Sequence, residues 1–141
     1  MNTLIIHGVA TWFMVGLIWT IQLVHYPLFA LVGGDRFVDY EQSHARRMGI
    51  LLAVPATLEV ATGAALIWSR PDSVSLAVVL AAGALLALIW IVTWFVQVPA
   101  HARLSMGFDS GTARALTRSN WLRTLAWSGR GLIVAIALLG A

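Results

Sequence analysis

The chain has neither cysteine nor lysine among its 141 residues. Without cysteine, disulfides and thiolate metal sites are excluded. Charge is scarce too: 11% of residues are charged and 60% are hydrophobic, with a mean hydropathy of +0.84. Water-soluble domains run at about 25% charged and roughly 45–50% apolar. That comparison excludes an ordinary soluble domain and points to a membrane protein. There is no nucleotide-binding glycine loop, no nucleophile triad and no soluble catalytic domain. The opening segment, "MNTLIIHGVATWFMVGLIWTIQLV", lacks a basic n-region. Its apolar run also exceeds the ~7–15 residues of a signal-peptide core, so it is expected to be a retained span.

The basic residues are nine arginines, and the net charge is +3. They flank apolar segments, where arginine anchors helices and sets topology. No nucleic-acid partner is expected.

A span needs about 20 mainly apolar residues. Four segments qualify, 3–32, 36–68, 74–105 and 111–139, within one domain covering 1–141. The expected fold is all-α, an antiparallel four-helix transmembrane bundle made of two helical hairpins. "GGD" at 33–35, "SRPDS" at 69–73 and "MGFDSG" at 106–111 form the breaks, with Asp35 and either Asp109 or Ser110 expected as helix caps. Arg36, Arg46, Arg47, Arg103, Arg114, Arg118 and Arg123 flank the first and third breaks, and only Arg70 flanks the second. The positive-inside rule then places those two breaks in the cytoplasm. The expected location is a bacterial inner (plasma) membrane, with both termini outside the cytoplasm.

Pro27, Pro55 and Pro99 fall inside predicted helices. Proline removes a backbone donor and clashes with the carbonyl four residues back. Membrane helices tolerate this as packing kinks when neighbours satisfy the freed groups. Pro27 and Pro99 each lie beside a glutamine and a histidine, which favours a shaped polar pocket. A short internal repeat runs the same way. "WTIQLVHYP" and "WFVQVPAH" both read Trp-x-x-Gln followed by histidine, His44-x-x-Arg47 follows the first and Asn120-x-x-Arg123 the second. Two similar hairpins related by an axis along the membrane normal would produce it.

Heights follow from the helical rise. His25 lies about 13 Å before the first turn and His44 about 15 Å after it. His101 lies about 10 Å from the third break, Gln97 about 16 Å and Asn120 about 18 Å. All converge on one cytoplasmic-side layer. Gln22 with His25, Glu41 with His44, and Gln97 with His101 are spaced to share helix faces. Glu-x-x-His is the spacing that holds dinuclear centres in bundles, but two copies are needed and one is present. The candidate ligands of a single transition metal are His25, His44, His101 and Glu41, which suit iron, copper, zinc or manganese. Gln22, Gln97, Asn120 and Arg47 are the expected supporting groups. Haem b is an alternative occupant, ligated by two histidines, with arginines on its propionates. A quinone or lipid headgroup bonded to the same side chains is another. The histidines can also serve structure alone, by bonding neighbours at kinked backbone.

A second group lies higher in the bundle. Glu59 is about 22 Å above His44, Arg130 about 15 Å above Asn120, and His7 about 27 Å above His25. A Glu59–Arg130 ion pair is expected, since either charge alone in lipid is costly. It either fixes two helices or, with His7, forms a proton or substrate path. Most of the seven tryptophans suit interface belts and packing.

The stretches "VHYPLF", "FVDYEQSHARR", "QVPAHARLSMGFD" and "NWLRTLAWSGR" resemble a family of small, uncharacterised bacterial four-helix integral membrane proteins. The resemblance covers nearly the whole chain and implies the four-span topology. A looser similarity is to anthrone-oxygenase-like membrane proteins, and no catalytic residue is carried over from them. The sequence is thus expected to give a membrane protein that binds a transition metal and oxidises a lipophilic substrate. The competing expectation is a non-enzymatic accessory subunit of a larger membrane complex, or a homo-oligomer. A small transporter is a third.

Overall fold

The computed structural model describes residues 1–141 and is all-helical. Its four long helices are α1 (Asn2–Leu31), α2 (Gly34–Ser69), α3 (Leu76–Leu104) and α4 (Ser110–Leu139), each long and apolar enough to cross a membrane. Their bounds fall within two residues of those read from hydropathy.

The caps explain where two of the helices begin. Asp109 accepts the Thr112 N–H at 2.6 Å, and Ser75 accepts the Val78 N–H at 3.4 Å. The hydrogen bonds from Thr112 hold the Asp109 carboxyl below the ordinary carboxylate range. Asp35 does not cap. Gly33 occupies the N-cap of α2 with no side-chain bond, and Asp35 sits in the first turn. There its charge still favours the positive end of the helix dipole.

Two prolines reshape their helices in the same way. A π turn spans Ile21–His25 just before Pro27, and another spans Thr93–Gln97 just before Pro99. Tyr26 N–H reaches the Ile21 carbonyl and Val98 N–H reaches that of Thr93, five residues back in each case. Inserting one residue relieves the crowding that proline imposes on an α turn. Pro55 lies within α2 without such a turn.

Packing is inverted relative to a soluble domain. Of 33 buried residues, 11 are polar or charged. Large apolar side chains point outward instead, among them Leu31, Ile50, Trp68, Phe95 and Ile136. The main apolar core is built from Met14, Val15, Ile18, Phe29, Phe37, Ile89, Leu104, Leu116 and Trp127. α1 packs along both α2 and α4, and α3 packs along α4. α2 and α3 meet over a shorter stretch, beside a largely apolar cavity of about 340 Å³ lined in part by Val60, Ile67, Val79, Leu86 and Trp90.

Close approach of α1 to α4 requires a small residue at position 131. A Cβ there would lie 3.1 Å from the Val15 side chain and 3.5 Å from the Trp12 ring. Gly131→Leu is therefore expected to destabilise the bundle by about 1–3 kcal/mol, read as a lower unfolding temperature in detergent. Gly16→Leu, which meets nothing within 4 Å, should leave that temperature unchanged.

Candidate metal centre

The inner layer is assembled by the two π turns, the start of α2 and the middle of α4. Glu41 and His44 are one helical turn apart on α2 and project together. His101 arrives from α3, one turn beyond its π turn. Glu41, His44 and His101 each offer a ligand atom, and those atoms all lie within 4.8 Å of one another. His101 Nδ1 contacts Glu41 Oε1 at 2.5 Å. The other carboxylate oxygen, Glu41 Oε2, is buried and has no hydrogen-bond partner. Glu41 itself is 0% exposed. An unsatisfied buried acceptor costs roughly 1–3 kcal/mol, more when charged, so this oxygen marks a place for a donor or a cation.

His25 joins this group from behind. Its Nε2 lies 2.6 Å from His44 Nδ1. Two nitrogens bound to one tetrahedral ion would be roughly 3.4 Å apart at ordinary metal–ligand distances. The contact is thus a hydrogen bond. It orients His44 and leaves His44 Nε2 free, as the hydrogen bond on the other nitrogen does for a metal-binding imidazole. His25, expected from the sequence as a ligand, is instead bonded to His44 and lies outside the three-residue group. Phe29 fixes both rings, with its centroid 5.3 Å from that of His25 and 5.5 Å from that of His44, edge to face in both cases.

Gln22 and Gln97 both turn toward α4. Gln22 Nε2 donates to the Thr117 carbonyl at 3.2 Å, and Gln97 Nε2 donates to Ser119 Oγ at 2.9 Å and to the Leu116 carbonyl at 3.5 Å. Asn120 Nδ2 donates to Gln22 Oε1 at 3.0 Å. These three side chains are buried scaffolding that holds the π turns against α4.

Arg47 lies outside the layer. It is exposed and donates to Ser43 Oγ on its own helix. The guanidinium inside the layer is that of Arg123, 6% exposed, donating to Asn120 Oδ1 at 3.0 Å and lying 5.2 Å from the Trp127 ring centroid. A charged side chain on a surface face of α2 gains more from water or headgroups than from burial, so Arg47 stays out. Arg123 has no carboxylate within ion-pair distance. A cation–π contact contributes about 0.5–2 kcal/mol, less than the several kcal/mol of an uncompensated buried charge.

Tyr26 is the residue that sequence reasoning passed over. Its hydroxyl sits 2.9 Å from His101 Nε2 and 3.2 Å from Gln97 Oε1. The available signal was its place between His25 and Pro27, inside the disturbed turn.

The outer layer gathers His7, Glu59 and Arg130. Arg130 Nη2 lies 3.1 Å from Glu59 Oε1, with both residues almost fully buried. Glu59 also accepts from Thr11 Oγ1 at 3.1 Å and from Trp127 Nε1 at 3.1 Å. Arg130 donates in addition to the Ala82 carbonyl, and its Nη2 lies 3.3 Å from His7 Nε2. His7 Nδ1 meets Thr62 Oγ1 at 2.9 Å. Every Glu59 oxygen and three guanidinium nitrogens are thereby satisfied, as a structural ion pair requires.

Comparison with known proteins finds no matching family model, no matching curated protein and no matching solved structure.

Breaking the outer pair leaves a buried charge alone. Glu59→Leu is expected to cost about 3–5 kcal/mol. The double variant Glu59→Leu/Arg130→Met should regain much of that loss in thermal unfolding. A double variant less stable than the single would contradict a structural ion pair.

Proposed function

We propose that this chain is an antiparallel four-helix membrane bundle of two hairpins that binds one transition-metal ion at Glu41, His44 and His101 near its cytoplasmic face. The observation carrying the metal reading is the meeting of these three donors within 4.8 Å around a buried, unpartnered carboxylate oxygen. Two imidazoles and one carboxylate are the donor set of mononuclear non-haem iron sites and also of His₂Glu zinc sites. Bound there, iron would supply oxidative chemistry, which suits a lipophilic substrate delivered from a bilayer. His25 would orient His44, Tyr26 would hold His101 through Nε2 and leave Nδ1, on the Glu41 side, to face the ion, and Phe29 would pack against the His25 and His44 rings. The short His25–His44 contact, with Phe29 packed against both rings, favours an ion over a macrocycle.

The membrane reading is supported by the four apolar helices and the inverted packing. His7 pairs with Thr62, Thr11 with Glu59 and His25 with His44, so contacts run in opposite order along α1 and α2. Arginines crowd the 33–35 and 106–111 breaks, which supports a cytoplasmic position for both.

Purified in mild detergent and loaded with Fe(II), Zn(II), Mn(II) or Cu(II) in turn, the protein is expected to retain close to one equivalent of a preferred metal. Glu41→Gln or His44→Ala should abolish retention, and Arg47→Gln should leave it intact. Affinity should fall as the pH drops, because imidazole must be neutral to ligate. Sub-stoichiometric metal in every loading experiment would defeat the proposal.

Topology can be read without background, since the native chain has no cysteine. In intact cells, a membrane-impermeant maleimide should label Asp72→Cys but not Gly34→Cys or Phe108→Cys. The last two should react only after lysis.

A further inference from the structure

The start of α4 carries charge that the rest of the chain leaves unpaired. Arg114 and Arg118 are exposed, one helical turn apart, and belong to neither ion pair of the protein. Asp109, the nearest acid in the sequence, caps α4 through the Thr112 N–H and forms no ion pair either. Around the 33–35 and 106–111 breaks, seven arginines face four acids, Asp35, Asp39, Glu41 and Asp109, so this end of the bundle is positive. A groove of about 310 Å³ adjoins the two arginines. Its walls include Pro27 and Ala30 of α1 and Ser110, Arg114, Thr117 and Arg118 of α4. Both guanidinium-bearing side chains are part of that lining, so space and charge coincide.

Beyond the groove the same face of α4 turns apolar. Arg114, Arg118, Trp121, Leu125, Leu132 and Ile136 follow one another at steps of 4, 3, 4, 7 and 4 residues, which puts them on one side of the helix. All six face outward, with Leu125, Leu132 and Ile136 more than half exposed. Trp121 stands between the charged and the aliphatic parts, edge to face with Trp19 of α1 at 5.6 Å between centroids. It lies about 4.5 Å deeper than Arg118, and Leu125 about 10 Å deeper. An indole at that level suits the ester region of a bilayer. The order along α4 is therefore cation, indole, hydrocarbon, which is the order phosphate, ester, acyl chain in a phospholipid.

We propose that this face holds one anionic phospholipid of the adjoining leaflet. Its phosphate sits in the groove between Arg114 and Arg118, and an acyl chain runs along Trp121, Leu125 and Leu132. Basic pockets between transmembrane helices take such headgroups. A free anion would use the two arginines and leave the apolar continuation idle, and a zwitterionic lipid would leave the positive charge unbalanced. The site rests on the membrane reading given above and does not need a metal at Glu41, His44 and His101.

The test uses the full-length protein in phosphatidylcholine vesicles. Increasing mole fractions of acyl-brominated phosphatidylglycerol, or of acyl-brominated phosphatidylcholine, are introduced and tryptophan fluorescence is read. Half-maximal quenching should come at a mole fraction about tenfold lower for the anionic lipid. Trp121→Phe should remove a large share of that quenching. Arg114→Gln/Arg118→Gln should bring the two curves together. Arg46→Gln/Arg47→Gln, which removes the same charge from exposed positions of α2, should keep them apart. Inorganic phosphate should relieve quenching no more than chloride at equal ionic strength. Coincident curves for the unaltered protein overturn the proposal without any variant. Convergence in Arg46→Gln/Arg47→Gln marks diffuse attraction and overturns it too, and relief by phosphate beyond the chloride control identifies a free anion and does the same. Quenching by neither lipid defeats the membrane reading together with this site, whereas equal quenching by both defeats the site alone.

Discussion

Polar groups enclosed by an apolar shell have only one another for partners. That constraint organises this molecule. A buried donor or acceptor without a mate costs more than most single contacts contribute, and the outward faces of these helices carry leucine, isoleucine and phenylalanine. The polar side chains therefore collect in two layers and bond almost completely within them. Where the pairing is complete, as around Glu59 and Arg130, the layer acts as a rivet between helices. Where it is incomplete, as at Glu41 Oε2 and Arg123 Nε, a buried polar atom is left without a partner.

The two layers are not isolated from each other. Trp127 lies beneath the Arg123 guanidinium and donates its indole N–H to Glu59. One tryptophan on α4 thus touches the unpaired cation of the inner layer and the carboxylate of the outer one. The arrangement ties the position of Arg123 to the ion pair that fastens α4 to α2. It also explains why Trp127 is almost wholly buried while Trp68 and Trp94 face outward.

Much of this was legible in the residues. Helix bounds follow from apolar runs and breakers, because length and hydropathy are local properties. The meeting of His44, His101 and Glu41 follows from rise per residue and shared faces, since a hairpin converts sequence distance into height. The roles of His25, Arg47 and Arg123 were not legible. Each depends on which way a side chain turns once a neighbouring helix arrives, and counting residues gives height without azimuth. Arg123 carries the same spacing from Asn120 that Arg47 carries from His44, yet one is buried and the other exposed. Tyr26 escaped because a tyrosine in an apolar run reads as packing. Asp35 failed as a cap because a glycine two residues earlier in the chain took the N-cap position.

The π turns carry a further implication. Each holds one residue more than an α turn would, so each delays the winding of its helix by roughly 100°. In α1 that delay separates His7 and Thr11, aimed at the outer layer, from Gln22 and His25, aimed at the inner one. The turn is a phase adjuster, and proline keeps it from relaxing. A single deletion within 21–25 or within 93–97 would heal the hydrogen-bond ladder and sweep one half of the helix out of alignment.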